Sequence, residues 1–178
     1  MRTRGFVLLT VMVLLAAGMA SAQPFYVSKS GNDGDATSWA TAKTTIQAGI
    51  NEAYIWSQGN GGATVEVWVA QGVYADPVGE VWGNVSVSGS IIMKDHVHLY
   101  GGFEGDETDR SQRAPTCFVT VIDGSNGRGP GTPAYHTVVF GKSATPTIDS
   151  VLDGFRITGG QAAGAGGSDY HTDRKSVV

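Results

Sequence analysis

The chain has 178 residues, 41% of them hydrophobic and 16% charged, and a formal net charge of −4. That length suffices to bury a real core in one globular unit. The acidic balance excludes a protein that tracks nucleic-acid phosphates. With 26 glycines against so few charges, the composition points to tight turns and close backbone approaches, and so to a turn-rich β protein.

Residues 1–22 read as a secretory signal peptide, because Arg2 and Arg4 precede an apolar run from Phe6 to Ala17 that ends in Ala20-Ser21-Ala22. The run is shorter than the ~20 apolar residues that a bilayer-crossing helix needs. Cleavage after Ala22 places the mature chain outside the cytoplasm: secreted, periplasmic or at the cell surface, with no transmembrane segment. From Gln23 to Thr172 eight Lys/Arg stand against fifteen Asp/Glu, a net charge of −7. The single Cys117 cannot form an internal bridge, so packing has to supply stability in an oxidising compartment. It directly precedes the strand-like FVTVID, where a packed thiol is expected.

Residues 23–62 form an N-terminal unit of strand, turn and helix. Phe25-Tyr26-Val27 favours a strand, and the following SGNDGD supplies the residues that tolerate positive φ and make Asx turns. Asn32, Asp33 and Asp35 crowd oxygens as a calcium loop does. The full D-x-[DN]-x-[DN]-G pattern with its distal Glu is missing, which favours a solvated turn. In TTIQAGINEAYIW, Ile46, Ile50, Ala53 and Tyr54 share one face of a helix that begins near Lys43, with Thr44 or Thr45 as its cap. Gln47, Asn51 and Glu52 point away from that face, and Gly59 to Gly62 end the helix. Gly49 costs about 1 kcal/mol relative to Ala inside a helix, so it predicts a close neighbour.

From Ala63 the period changes to 2: Val65, Val67 and Val69 alternate with Glu66, Trp68 and Ala70. Sheet-like runs recur at residues 90–94, 97–103, 118–124, 136–141 and 151–160. Short hairpin turns are mostly absent between them. The principal strands, taken at Val67, Val97, Val121, Val139 and Phe155, lie 30, 24, 18 and 16 residues apart. Such spacings suit a solenoid in which each turn of chain adds one strand to a parallel stack. The phrases IDG (122–124) and LDGF (152–155) repeat one element, in which Asp accepts from a turning backbone and Gly takes the left-handed conformation.

Taken in order, YVSKSGNDGDATSWATAKTTIQAGI, VEVWVAQGVY, VHLYGGFEGDETDRSQR, VIDG and VLDGFRITGG resemble the N-terminal part of secreted bacterial right-handed parallel β-helix proteins of the pectate-lyase-like superfamily. The resemblance covers nearly all of residues 25–167. It implies a mainly β fold, a right-handed parallel β-helix with an N-terminal capping α-helix, whose first coils occupy residues 63–167. A helix at that end would shield backbone groups that otherwise template aggregation. The resemblance makes GFEGDETDRSQR a loop leaving the coil, with Glu104, Asp106, Glu107, Asp109, Arg110 and Arg113 in local salt bridges.

Residues 168–178, SDYHTDRKSVV, carry neither a strand pattern nor a capping repeat. Asp173 to Val178 is the translation of GATCGGAAGAGCGTCGTG, which looks like a sequencing adapter read in frame. The expectation is therefore a chain truncated after the first few coils, with a non-native or disordered tail, whose full-length form is a monomer.

Polysaccharide lyases on the implied fold hold calcium on Asp or Glu while Arg or Lys abstracts a proton α to a uronate carboxylate. Asp123, Asp153 and Arg156 are the weak candidates, with Arg156 near the strand face that carries Asp153; the family's acidic cluster lies in later coils. His96 and His98 alternate onto one side of KDHVHLYGG and could chelate zinc, but they lack a third ligand because Asp95 faces the other way, so a surface pair is favoured. Trp68, Trp82 and Tyr100 could form a sugar-stacking platform, with Trp68 the best placed, although packing under the following loop competes. No phosphate loop, dinucleotide fingerprint, nucleophile elbow or paired-cysteine motif is present. The expectation is an exported scaffold that binds polysaccharide or acts as an adhesin, without a complete active site and without a cofactor. The alternative is a calcium-dependent pectate-type lyase whose catalytic coils lie elsewhere.

Overall fold

The computed structural model describes residues 23–77, 89–140 and 149–161. Residues 1–22, expected from the sequence to be a signal peptide, Trp82 and residues 168–178 lie outside the described residues. Among the described residues nine strands and one α-helix follow one another as β1 (Phe25–Val27), α1 (Ile46–Gly59), β2 (Val65–Ala70), β3 (Gly72–Tyr74), β4 (Ile91–Met93), β5 (Val97–Phe103), β6 (Thr120–Asp123), β7 (Val138–Phe140), β8 (Val151–Asp153) and β9 (Phe155–Thr158). They make a four-stranded sheet in the order β1-β2-β5-β8, a three-stranded sheet β3-β6-β9 and a two-stranded sheet β4-β7. Every pairing in the three sheets is parallel.

The five principal runs do not form a single stack of strands. Val67 and Val97 lie in the four-stranded sheet, Val121 and Phe155 in the three-stranded sheet, and Val139 in the two-stranded sheet. One pass of the chain feeds all three: β4, β5, β6 and then β7, β8, β9 visit them in the same order. Two runs that read as continuous are broken at corners. Gly154, between β8 and β9, has φ +83, and a Cβ there would lie 2.6 Å from the Gly101 carbonyl oxygen. Only glycine meets both demands without strain.

In-register pairing places apolar residue over apolar residue. Val65 pairs Val97, and Val67 pairs Leu99, which in turn pairs Leu152. Val65, Val67, Val97 and Leu99 join Val27, Val69, Tyr74, Ile91, Met93 and Ile122 in one buried cluster, to which α1 contributes Ile46, Ile50 and Ala53 and against which the half-buried Leu152 packs. Complete burial of such side chains contributes roughly 1.5–3 kcal/mol each.

Helix α1 starts at Ile46, slightly later than the sequence suggests, because Thr45 is the N-cap and accepts from the Ala48 N–H at 3.3 Å. Gly49 faces β1 and β2: a Cβ would stand 2.3 Å from Val27 Cγ2 and 3.3 Å from Val67 Cγ1. Gln47 does not point away as expected. It is buried, its Oε1 accepts from the Ile92 N–H at 2.8 Å, and its Nε2 donates to the Ile92 carbonyl at 3.3 Å. The amide thus serves β4 as a neighbouring strand would. Glu52 keeps the outward position, paired with Lys43 at 3.0 Å.

The outer edge of β1 is closed by the chain that follows it. Tyr26 donates to Ala36 O, Lys43 donates to Tyr26 O, and Ser28 donates to Lys43 O, all within 3.0 Å. Cys117 is exposed, contrary to the expected packed thiol, because β6 starts only at Thr120 and Cys117 sits in the preceding turn.

Two outcomes check this account. Gly49→Ala is expected to lower the melting temperature despite the better helix propensity, since overpacking costs about 1–3 kcal/mol; a raised Tm would remove the Val27 contact from the argument. Gln47→Met, near in volume but without the amide, is expected to cost about 1–3 kcal/mol by leaving the Ile92 backbone groups unpaired. Urea melts with an unchanged slope and a lower midpoint would carry that result.

Candidate functional site

The outward face of the four-stranded sheet holds three of the candidate side chains, Trp68, Tyr100 and Asp153, in register. Tyr26 pairs Trp68, Trp68 pairs Tyr100, and Tyr100 pairs Asp153. Trp68 is only 5% exposed and stacks on Phe103, centroids 4.9 Å apart at 10°, with Tyr26 edge-on at 5.7 Å. Trp39 completes the cluster and anchors the loop after β5, its Nε1 donating to the Glu107 carbonyl at 2.9 Å. Tyr100 lies under Arg110 and Arg113, whose guanidinium carbons are 4.6 and 5.1 Å from the ring centre. Its phenol is raised above the ordinary tyrosine value, first by burial. Of the three rings nominated for sugar stacking, Trp68 and Tyr100 are therefore covered by the loop and its arginines, and Trp82 lies outside the described residues.

That loop is held by acids that bond its own backbone and by arginines that pair with acids on neighbouring strands. Glu107 is buried and accepts from the backbone N–H groups of Glu104, Gly105 and Asp106 at 2.6, 3.0 and 3.2 Å. Asp109 caps the 3-10 turn Arg110–Gln112, and hydrogen bonds from the Ser111 hydroxyl and N–H hold its carboxyl below the usual range. Arg110 reaches back to Glu66 on β2 at 2.5 Å, and Arg113 pairs with Asp153 on β8. The loop so spans three neighbouring strands.

Asp123, Asp153 and Arg156 are not brought together. Asp123 caps the turn after β6 and accepts from the Ser125 N–H at 2.9 Å, as the repeated corner element suggests. Asp153 belongs to β8 and Arg156 to β9, so the Gly154 corner puts them on different sheets and separates the face they were expected to share. Arg156 is exposed beside a groove of about 420 Å³ lined by Pro115, Thr116, Val119, Thr120, Gly154 and Phe155.

His96 and His98 do not share a strand, since β5 begins at Val97 and His96 occupies the preceding turn with φ +61. They nevertheless meet at a residue that sequence reasoning missed. Asp149 Oδ1 lies 2.8 Å from His98 Nε2, and Asp149 Oδ2 lies 3.8 Å from His96 Nδ1. The Thr64 hydroxyl donates to Asp149 Oδ2 at 2.6 Å, the Asp149 N–H donates to Asp95 Oδ1 at 3.2 Å, and the Ser150 hydroxyl donates to the Lys94 carbonyl at 2.8 Å. Asp95 does not turn away from this group: its Oδ2 is 3.7 Å from His96 Nε2. Among the described residues no group of three or more His, Cys, Asp or Glu is arranged to hold a metal ion.

Compared with protein-family models, curated proteins and solved structures, the chain matches none of them. The site is thus read from its geometry alone.

The Asn/Asp turn gives its oxygens to the backbone. Asn32 Oδ1 accepts from the Gly34 N–H, Asp33 from the Thr44 N–H and hydroxyl, and Asp35 from the Thr37 N–H and hydroxyl. The Asp35 carboxyl is pulled down to about 2, first by the Thr41 hydroxyl and then by Thr37. Three side chains that looked convergent in sequence have three different partners.

Asp149 yields a pH prediction. Hydrogen bonds from Thr64 and then His98 hold its carboxyl below the usual value in the folded state. A depressed carboxylate contributes stability that is present above its unfolded pKa of about 3.9 and is lost as pH falls through the folded value. Asp149→Asn is expected to melt below the wild type at pH 7, with the gap closing under acid conditions. A gap that stays constant from neutral to acid pH would show that the carboxylate charge has no part in holding Thr64 and His98.

Proposed function

We propose that the chain is a right-handed parallel β-helix module of an exported protein, which holds polysaccharide or a cell-surface partner along its sides. The observation that carries this reading is the cyclic order of the strands. β4, β5, β6 and β7, β8, β9 visit the two-, four- and three-stranded sheets in turn, each strand pairing in parallel with its counterpart one pass earlier. A chain winding around one core produces that order, and right-handed crossovers are the rule for parallel strands. The resemblance of the five motifs to the pectate-lyase-like superfamily points the same way.

Helix α1, Gln47 and the residue 36–43 segment act in this reading as the cap on the first turn, covering β1 and β4. Export follows from residues 1–22, and among the described residues no helix is long and apolar enough to cross a membrane. The acidic chain argues for a partner other than nucleic acid. Asp123, Asp153 and Arg156 stand apart, each in its own surroundings, which favours binding over lyase chemistry at these positions.

A panel of soluble plant, algal and bacterial polysaccharides tests the reading, with affinity electrophoresis as the measurement. Retardation by at least one polysaccharide without cleavage is the expected outcome. Calcium-dependent release of unsaturated uronate would replace the binding reading with the lyase, and migration unchanged by every polysaccharide would remove the glycan reading.

A further inference from the structure

In the export reading, cleavage after Ala22 makes Gln23 the first residue of the mature chain. A glutamine in that place carries both halves of a reaction. Its free α-amine is a nucleophile, and its side-chain carbonyl carbon lies within reach through the residue's own carbon atoms, so the two meet at high effective concentration. Elsewhere in a chain the backbone nitrogen is already an amide, and the reaction is denied.

The fold leaves that residue free to react. Gln23 is exposed and precedes β1, which begins at Phe25. Pro24 stands between them with no N–H to donate, so the parallel ladder that pairs Phe25 with Val67 cannot extend back through its nitrogen. The chain that closes the outer edge of β1 also engages it later, since Ala36 and Lys43 bond Tyr26 and Lys43 bonds Ser28. Among the described residues no hydrogen bond or ion pair engages either Gln23 nitrogen. Proline disfavours helical ψ at the residue before it. A ring closed on the amine side leaves that torsion untouched, so closure asks nothing of β1.

We propose that Gln23 is a modification site at which the exported chain closes its own N-terminus as the lactam pyroglutamate. The α-amino nitrogen attacks Cδ, the new C–N bond forms, and the side-chain nitrogen leaves as ammonia, carrying the proton that the amine gives up. No oxidant, metal or second substrate enters. A terminus that is cationic below its ordinary pKa of about 7.7–8.0 becomes neutral, and the amine that aminopeptidases recognise is gone. Sealing matters at this end because only Pro24 separates the terminus from β1, whose Val27 is fully buried in the core that α1 shares. Cleavage after Ala22 rests on the export reading above; the ring rests on the exposure of Gln23 and the break in the ladder at Pro24.

Expression of the full chain in a bacterial host tests the proposal, with intact mass and stepwise N-terminal sequencing of the exported fraction as the measurements. The expected product is the chain from Gln23 onward, lighter by one ammonia and silent to sequencing. Treatment with a pyroglutamyl aminopeptidase is then expected to open a sequence that starts Pro24-Phe25-Tyr26. Gln23→Ala is expected to be cleaved at the same place, to melt as the wild type does and to be sequenced from its first residue. A chain that starts at Gln23 and keeps its full mass after prolonged incubation at neutral pH overturns the ring and leaves export in place. A chain that starts at another residue downstream of the leader overturns the site alone. A chain that retains residues 1–22 overturns the site and removes the export reading with it.

Discussion

Parallel pairing governs this molecule, because a strand that runs parallel to its neighbour cannot be reached by a hairpin. The chain has to leave the sheet, travel around and re-enter from the same end before it can pair again. That journey is where the remaining structure arises. β2 gives way to β3, and β8 to β9, at glycine corners, while β5 and β6 are joined by the long loop of residues 104–119. The in-register stacks Val65 on Val97 and Val67 on Leu99 on Leu152 then keep the inward face apolar from one pass to the next.

A parallel sheet also presents unpaired N–H and C=O groups at its edges, and the N-terminal residues are arranged around that liability. Residues 36 and 43 hydrogen-bond β1, and the Gln47 amide substitutes for a strand beside Ile92. Gly49 makes this arrangement possible by letting α1 approach Val27 and Val67 without a side chain between them. Its unfavourable helix propensity is offset by the packing that it permits, a conflict between local and tertiary preference decided by contact density.

Outside the core, polar and aromatic groups tie successive strands together. Trp68, Phe103, Tyr26 and Trp39 form a second cluster beneath the loop, and the Arg110–Glu66 and Arg113–Asp153 pairs clamp that loop across β2 and β8. Near the starts of β2 and β5, Asp149 bridges Thr64 and His98, while Asp95 Oδ1 accepts from the Asp149 N–H and the Lys94 carbonyl from the Ser150 hydroxyl. Surface ion pairs such as these contribute modestly each. Their shared effect is to fix strands that are far apart in sequence at one register.

Much was legible without coordinates because it depends on short-range physics. The i, i+4, i+7 spacing of Ile46, Ile50 and Ala53 marked the helix and its buried face, Gly49 signalled a close neighbour, and Val65, Val67 and Val69 marked the inward side of β2. The β-rich class and the parallel character followed from strand runs without hairpin turns. Three things were decided only in tertiary structure. The strands divide among three sheets because corners at single glycines leave hydrophobic periodicity almost unbroken. Gln47 turns inward because a strand edge more than forty residues later needs a donor and an acceptor. Asp149 meets His96 and His98, whereas Asp123, Asp153 and Arg156 stay apart, because each residue's place in its sheet, and not spacing in the sequence, sets which side chains share a face.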